Sequence, residues 1–299
     1  MKPLFLLSKG RAVLAKDDLR VEDLPSEFKK DFPDQDPKYI DKVSQLAGIA
    51  AARALRESKS PIPDQLRKDF AVIVGTAFGA IDSTIDFDAQ ALAKGPNAVN
   101  PMDFPNTVAN AAGSRIGIWM QMKGPNVTLT NGETSLLDAM GFALQGYNNG
   151  LFQHCFVGAA DKVPDFLKSP VMRTSTDVEI QEGACFFLAS ASEEVKSLGR
   201  VTDYFGLQLK TDFAIPIAFR QRFDEFWDEV KWLGGPEGLP LEGSFPAGLA
   251  RYRTSATVLE FGLGGFEALN AFWSAPASCG VVTAFSKSER KMSFIKIRK

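Results

Sequence analysis

Short apolar runs separated by helix-period segments dominate this chain, and that alternation admits few folds. Asp69-Phe70-Ala71-Val72-Ile73-Val74-Gly75-Thr76, Val127–Thr130, Gln153–Gly158 and Gly183–Ser190 read as strands, the first a short apolar run that suits burial. Between Tyr39 and Ser58, residues Ile40, Val43, Leu46, Ala47, Ala50, Ala51, Ala54 and Leu55 recur at helical spacing. Ile81–Leu92, Phe104–Met122 and Glu133–Asn149 read as further helices, the last closed by Gly150. Strands alternating with helices predict an α/β domain with buried sheets. Met1–Leu7 reads as a first strand, too short and too soon polar for a signal peptide. Residues 11–38, charged and broken by Pro25, Pro33 and Pro37, read as a surface excursion. Beyond about residue 196 the pattern weakens. Ala214–Trp232 is expected to be helical, Gly234–Pro246 a loop and Gly262–Trp273 a helix. Gly280–Phe285 and Met292–Arg298 read as a strand pair.

The composition narrows the chemistry. A net charge of −2 over 299 residues argues against a general nucleic-acid binder, which needs a basic surface. No apolar run approaches the ~18 residues of a membrane span, so the expected compartment is the cytoplasm. Cys155, Cys185 and Cys279 are widely spaced and show no metal-type pairing, so reduced thiols and no metal are expected. His154 is the one histidine in the chain. Histidine-dependent triads and two-histidine sites therefore have too few residues to form. His154 and Cys155 are neighbours on a predicted strand and point to opposite faces, so they form no catalytic pair. Phe is abundant, 24 against four Tyr and four Trp, which suits a large core and also apolar surface awaiting a partner.

One ordered set of short blocks goes further. Asn100-Pro101 is followed by Pro105-Asn106-Thr107-Val108-Ala109-Asn110-Ala111-Ala112-Gly113, then Gly124-Pro125-Asn126-Val127-Thr128-Leu129. Next come Glu133, Leu137-Asp138-Ala139, Gly150, Val157-Gly158-Ala159-Ala160-Asp161 and Gln181-Glu182-Gly183-Ala184. In order and spacing this resembles the N-terminal half of β-ketoacyl synthases, best over residues 40–195. The resemblance implies the thiolase-like layered αβαβα ketosynthase fold. Residues 1–195 would form its first half and 196–299 an abbreviated second half. It also implies an interface with a second subunit, to which Pro105, Asn106, Asn110, Val127 and Leu129 would contribute.

Active members of that family carry a cysteine at the start of the helix that Glu133 opens here. A helix N-terminus stabilises a thiolate and supplies donors for an oxyanion. Glu133 also suits a helix N-terminus simply as an acid. Two further histidines of the family are missing. Val258 or Leu259 replaces one, ahead of Gly262 and Glu267-Ala268-Leu269, and Leu241-Glu242-Gly243-Ser244 is all that remains near the other. Ala284-Phe285-Ser286-Lys287-Ser288-Glu289-Arg290-Lys291 stands where the family has a glycine-rich gating loop.

The Leu137-Asp138-Ala139-Met140-Gly141 run is more similar still to the chain-length factors of type II polyketide synthases, which lack the cysteine. In them the segment matching Gly79–Val99 projects toward a partner's acyl tunnel. Carried onto this chain, the tunnel candidates are Ile81, Thr84 and Asp88, with Phe87 if the register slips. The implied partners are a catalytic ketosynthase and an acyl carrier protein, whose phosphopantetheine delivers substrates so that the chain needs no cofactor of its own. Two alternatives stay open: a decarboxylase or acyltransferase using Glu133, and a homodimeric acyl-binding scaffold. An abbreviated second half is expected to leave apolar surface for a partner to cover.

Overall fold

The computed structural model describes residues 2–15, 18–58, 67, 69–168, 179–192, 197–209, 215, 219–236, 239, 241, 244–254, 258–259, 261–286 and 288–299. Its frame is a ten-stranded sheet in the order β3-β2-β4-β6-β1-β7-β12-β11-β8-β9. The strands are β1 (Leu4–Val13), β2 (Ala71–Gly75), β3 (Asn126–Leu129), β4 (His154–Asp161), β6 (Gly183–Ser190), β7 (Gly199–Gln208), β8 (Trp232–Pro236), β9 (Ala250–Thr254), β11 (Cys279–Ser286) and β12 (Lys291–Arg298). Two residues each of β5 (Glu179–Ile180) and β10 (Val258–Leu259) form a separate parallel pair.

The order repeats itself. From one edge, β3 and β4 flank β2 in parallel, and β6 and β1 follow antiparallel. From the other, β9 and β11 flank β8 in parallel, and β12 and β7 follow antiparallel. The two sets meet where β1 pairs with β7, Leu4 opposite Val201 and Leu6 opposite Gly199.

Helices fill three layers around these sets. On the outer face of the first lie α1 (Leu24–Asp31), α2 (Lys42–Glu57) and α4 (Ala111–Trp119). Asp41 caps α2 by accepting the Ser44 amide at 2.8 Å. Between the sets lie α5 (Ser135–Asn148) and α7 (Phe266–Ser274), buried against strands of both. The short α6 (Arg220–Phe226) covers the outer face of the second. This is the thiolase-like αβαβα order, with the second set compressed into residues 199–298. One helix, α3 (Ile81–Lys94), belongs to no layer and has no buried residue.

Several expectations need correcting. Residues 11–38 are no plain excursion. β1 runs on to Val13 with Lys9 and Arg11 turned outward, and α1 buries Leu24 and Phe28. Phe28 and Phe32 pack on Trp119 at 5.0 and 4.9 Å, which is what holds this segment down. The helix expected over Phe104–Met122 is split into a 3-10 segment, Pro101–Asn106, and α4. Trp232 and Gly234 lie in strand β8 rather than in the expected helix and loop, and Ala214 lies outside the described residues. β7 was not anticipated, because GRVTDYFGLQ mixes buried and half-exposed positions.

Among the described residues, exposed apolar side chains of the expected second-half surface are few, at Leu198, Phe219 and Tyr252. The abundant phenylalanines of the second half are mostly interior: Phe205, Phe223, Phe226 and Phe294 pack with Trp227 and Phe245. Exposed large apolar side chains gather in the first half instead, at Ile85, Leu92, Met102, Phe104, Val108 and Ile118.

Candidate site at the start of the central helix

Strand β3 ends at Leu129, and a turn through Asn131 leads into a 3-10 turn, Gly132–Thr134, that runs straight into α5. The chain is drawn tightly against β2 here. A side chain at Gly75 would bring a carbon within 2.4 Å of the Ser135 carbonyl oxygen, so only glycine permits this approach. The Asn131 amide donates to the Ser135 hydroxyl at 2.9 Å. That hydroxyl lies 2.9 Å from the Thr76 carbonyl oxygen and 2.7 Å from that of Gly132.

Glu133 sits half-buried at this helix entrance. Among the described residues no hydrogen bond or ion pair holds its carboxylate. Over the turn lies the segment between β11 and β12: the Ser286 hydroxyl is 3.2 Å from where a Gly132 side chain would begin, and the Glu289 carboxyl 3.9 Å. The expected gating segment is thus the turn of a hairpin, with Arg290 in the left-handed region at φ 53°. Lys287 lies outside the described residues.

One turn into α5 is the group that sequence reasoning left without a role. Asp138 is 5% exposed and collects five donors. Asn131 donates at 2.7 Å, Thr134 at 2.9 Å, Tyr204 of β7 at 2.7 Å, and Lys291 and Ser293 of β12 at 2.5 Å each. Burial alone would raise its pKa, but the bonds from Lys291, Ser293 and Tyr204 and the lysine charge outweigh that and hold it below the usual carboxylate range. Burial and the Asp138 charge push the Tyr204 hydroxyl up, so it stays a donor. Its partners on β7 and β12 lie 66 to 155 residues further along the chain, so no local sequence pattern signals this role.

A second buried carboxylate, Asp161 at the end of β4, gathers the chain on the other side. It accepts from Thr76 at 2.9 Å, from the amides of Ala77 and Phe78 at 2.8 and 3.0 Å, and from the Gly262 amide at 2.9 Å. A side chain at Gly262 would meet its oxygen at 2.4 Å.

The remaining candidates are dispersed. His154 stands at the opposite end of β4 from Asp161. That is seven residues away, about 23 Å at ~3.3 Å per residue. It stacks on Phe70 with centroids 5.0 Å apart, and burial lowers its pKa. Cys155, Cys185 and Cys279 are buried, and burial pushes the Cys155 thiol far up. Val258 and Leu259 form β10, in backbone only; Thr257, Glu242 and Gly243 lie outside the described residues.

On α3, the Thr84 hydroxyl bonds inward to the Thr107 carbonyl oxygen at 2.8 Å, and Phe87 packs on Phe104 at 6.1 Å. Ile81 is half-buried and Asp88 exposed. Of the interface candidates, Pro105 and Asn110 are exposed, and Val127 and Leu129 lie half-buried on the edge strand β3. Asn106 is 7% exposed; its amide donates to the Tyr39 carbonyl oxygen and it accepts from Arg115, so it faces inward. Among the described residues no group of three acidic, histidine or cysteine side chains converges as a metal site, and no helix is long and apolar enough to cross a membrane.

Comparison with known families places this architecture. The family model described as beta-ketoacyl synthase, N-terminal domain, matches residues 9–167. The chain belongs to the β-ketoacyl synthase family. A curated relative, 3-oxoacyl-[acyl-carrier-protein] synthase 2 of Vibrio harveyi, is 25% identical over 128 residues, 43% of this chain and 31% of that enzyme. The match to the curated synthases thus spans about a third of their length. Among solved structures, "The ishigamide ketosynthase/chain length factor" superposes with a TM-score of 0.77 at 17% identity, over 99% of both chains. The ketosynthase complex "AntDE:AntF (apo): type II PKS acyl-carrier protein in complex with its ketosynthase bound to the hexaketide" gives 0.76 at 12% identity, over 100% of this chain and 99% of that one. These two establish a shared fold.

Proposed function

We propose that this ketosynthase-fold chain is the non-catalytic member of a pair, acting as polyketide chain-length factors do. It stands beside a cysteine-bearing ketosynthase in the cytoplasm and shapes the tunnel in which that enzyme extends an acyl chain. The observation that carries this reading is Glu133 at the helix entrance, with the one histidine about 23 Å of strand away from that end of the sheet. Decarboxylative condensation needs a nucleophile that holds the acyl group as a thioester and donors for the developing enolate. A carboxylate at this position is a poor thioester carrier, and Asp138 is fully engaged by its own donors. Condensation therefore belongs on the partner's cysteine, with substrates arriving on the phosphopantetheine of an acyl carrier protein.

The pairing surface is assigned to the first half. β3 is an edge strand with half-buried Val127 and Leu129, and exposed Pro105, Asn110, Phe104 and Val108 stand nearby in sequence. An unpaired edge beside apolar side chains is a template for a second sheet. Helix α3 supplies the tunnel wall through the candidates Ile81, Thr84, Phe87 and Asp88. Its outward face adds Ile85 and Leu92, which share one helical side with Asp88.

The test is reconstitution with a cysteine-bearing ketosynthase and an acyl carrier protein. The expected result is a 1:1 complex whose condensation needs the partner's cysteine. A monodisperse monomer indifferent to the ketosynthase would sink the reading. Release of CO₂ from malonyl carrier protein by this chain alone, abolished in Glu133→Gln, would make it a decarboxylase.

A further inference from the structure

Helix α3 stands off the body of the protein, over a cleft of about 340 Å³ lined by Ile40, Asp41, Asp82, Asp86, Lys162 and Phe166, among others. With no buried residue of its own, it needs its position fixed by something other than a core. Two of its attachments, Thr84 to Thr107 and Phe87 to Phe104, reach a segment that is itself largely exposed. Toward the core, the hydrogen bonds among the described residues run through Asp82.

The main one comes from Lys162, whose side chain is 8% exposed and whose ammonium lies 2.6 Å from Asp82 and 3.0 Å from Asp165. The Asp165 amide also donates to Asp82, at 3.3 Å. Lys162 follows Asp161 directly, and the two side chains divide the work at the end of β4. Asp161 seats the loop 76–78 that leads to α3, and Lys162 reaches up to the helix itself. A buried ammonium is retained only where carboxylates neutralise it. Asp82, at 36% exposed, and Asp165, at 78%, are both surface-side groups, so the lysine is the inner end of the link.

We propose that Lys162 is a positioning residue: a strut from the core strand β4 that sets the angle of α3 above the cleft. Through that angle it sets which α3 side chains face the tunnel. This second step rests on the chain-length reading given above; the strut itself does not. Arg could span the same gap, whereas an apolar residue of similar length could fill the space without holding the helix.

The experiment is hydrogen exchange on the whole chain, read peptide by peptide. In Lys162→Met, amides of 81–94 are expected to exchange about tenfold faster while those of β4 and α5 stay as in the wild type. Lys162→Arg should return α3 to within about threefold of wild type. Asp82→Ala, which cuts the link on its helix side and leaves Lys162 its bond to Asp165, should loosen α3 in the same way while β4 and α5 stay protected. The strut is overturned if α3 exchange is unchanged in both Lys162→Met and Asp82→Ala, or if core and helix speed up together. In the reconstituted complex, Lys162→Met should broaden the product-length distribution. A loosened α3 with an unchanged distribution would refute the role of α3 in chain length and leave the strut standing.

Discussion

In the first half, β1 lies so close to α2 that a side chain at Gly10 would come within 2.1 Å of the Ala50 carbonyl oxygen, and the contact is built from alanines. In the second half the equivalent outer face is covered by rings. Phe294 of β12 lies 5.9 Å from Phe223, 6.2 Å from Trp227 and 6.3 Å from Phe205. Both halves run the same strand order. The first covers that face with α1, α2 and α4, the longest of 16 residues; among the described residues the second uses one helix of 7. Aromatic side chains bury ~150–250 Å² each, so a few of them replace several turns of helix. That is how the second half keeps its topology in about a hundred residues of chain.

The contrast can be broken most sharply by Phe294→Ala. It should cost ~3–5 kcal/mol, because a void among fixed rings does not collapse; denaturant titration reads it directly, and a loss under about 1 kcal/mol would mean the aromatic cover is loosely packed. Asp138→Asn comes next. It weakens the link from α5 to β7 and β12 and should cost ~2–3 kcal/mol, since three charge-assisted bonds lose their anion. Ala50→Leu sharpens the comparison from the other side. Overpacking a close helix–strand contact should cost ~1–3 kcal/mol, whereas a neutral outcome would erase the distinction between a close-set and a ring-filled cover.

The wild type should also show an acid limb in stability that Asp138→Asn lacks. The folded pKa of Asp138 lies below its ordinary value, so its contribution is complete above about pH 4 and is lost as pH falls through the lower folded value. Parallel acid limbs in the two proteins would remove Asp138 as the cause. The smallest effect belongs to Glu133→Gln, which should leave stability within ~0.5 kcal/mol and complex activity within a few-fold. A large change in either would give this carboxylate a role that its lack of partners among the described residues does not suggest.

The first half was legible in the sequence because β2, β4 and β6 are buried on both faces. Val72, Ile73 and Val74, or Phe186 and Phe187, leave little else for such runs to be. The second half was not, since Trp232-Leu233-Gly234-Gly235-Pro236 looks like a loop entry. It becomes a strand only because β11 and β9 pair on either side of it. Glu133 was placed correctly at a helix entrance by a motif whose order survives. The role of Asp138 escaped, because its partners Tyr204, Lys291 and Ser293 are 66, 153 and 155 residues away and no local pattern announces them. Asn106, an interface candidate by resemblance, is bonded inward to Tyr39 and Arg115, partners that no local pattern announces either.

The position of β12 has a consequence for how the chain is made. It lies between β7 and β11, yet it emerges from the ribosome after both of them. Until Lys291–Arg298 has been synthesised, the second half must hold open a slot in the middle of its sheet, with strand edges exposed on each side. Asp138, translated some 150 residues earlier, spends that interval without its cation. A chain interrupted before Lys291 therefore carries an unsealed sheet and an uncompensated carboxylate at once, and the nascent protein is most exposed to mispairing at the point where its first half is already complete.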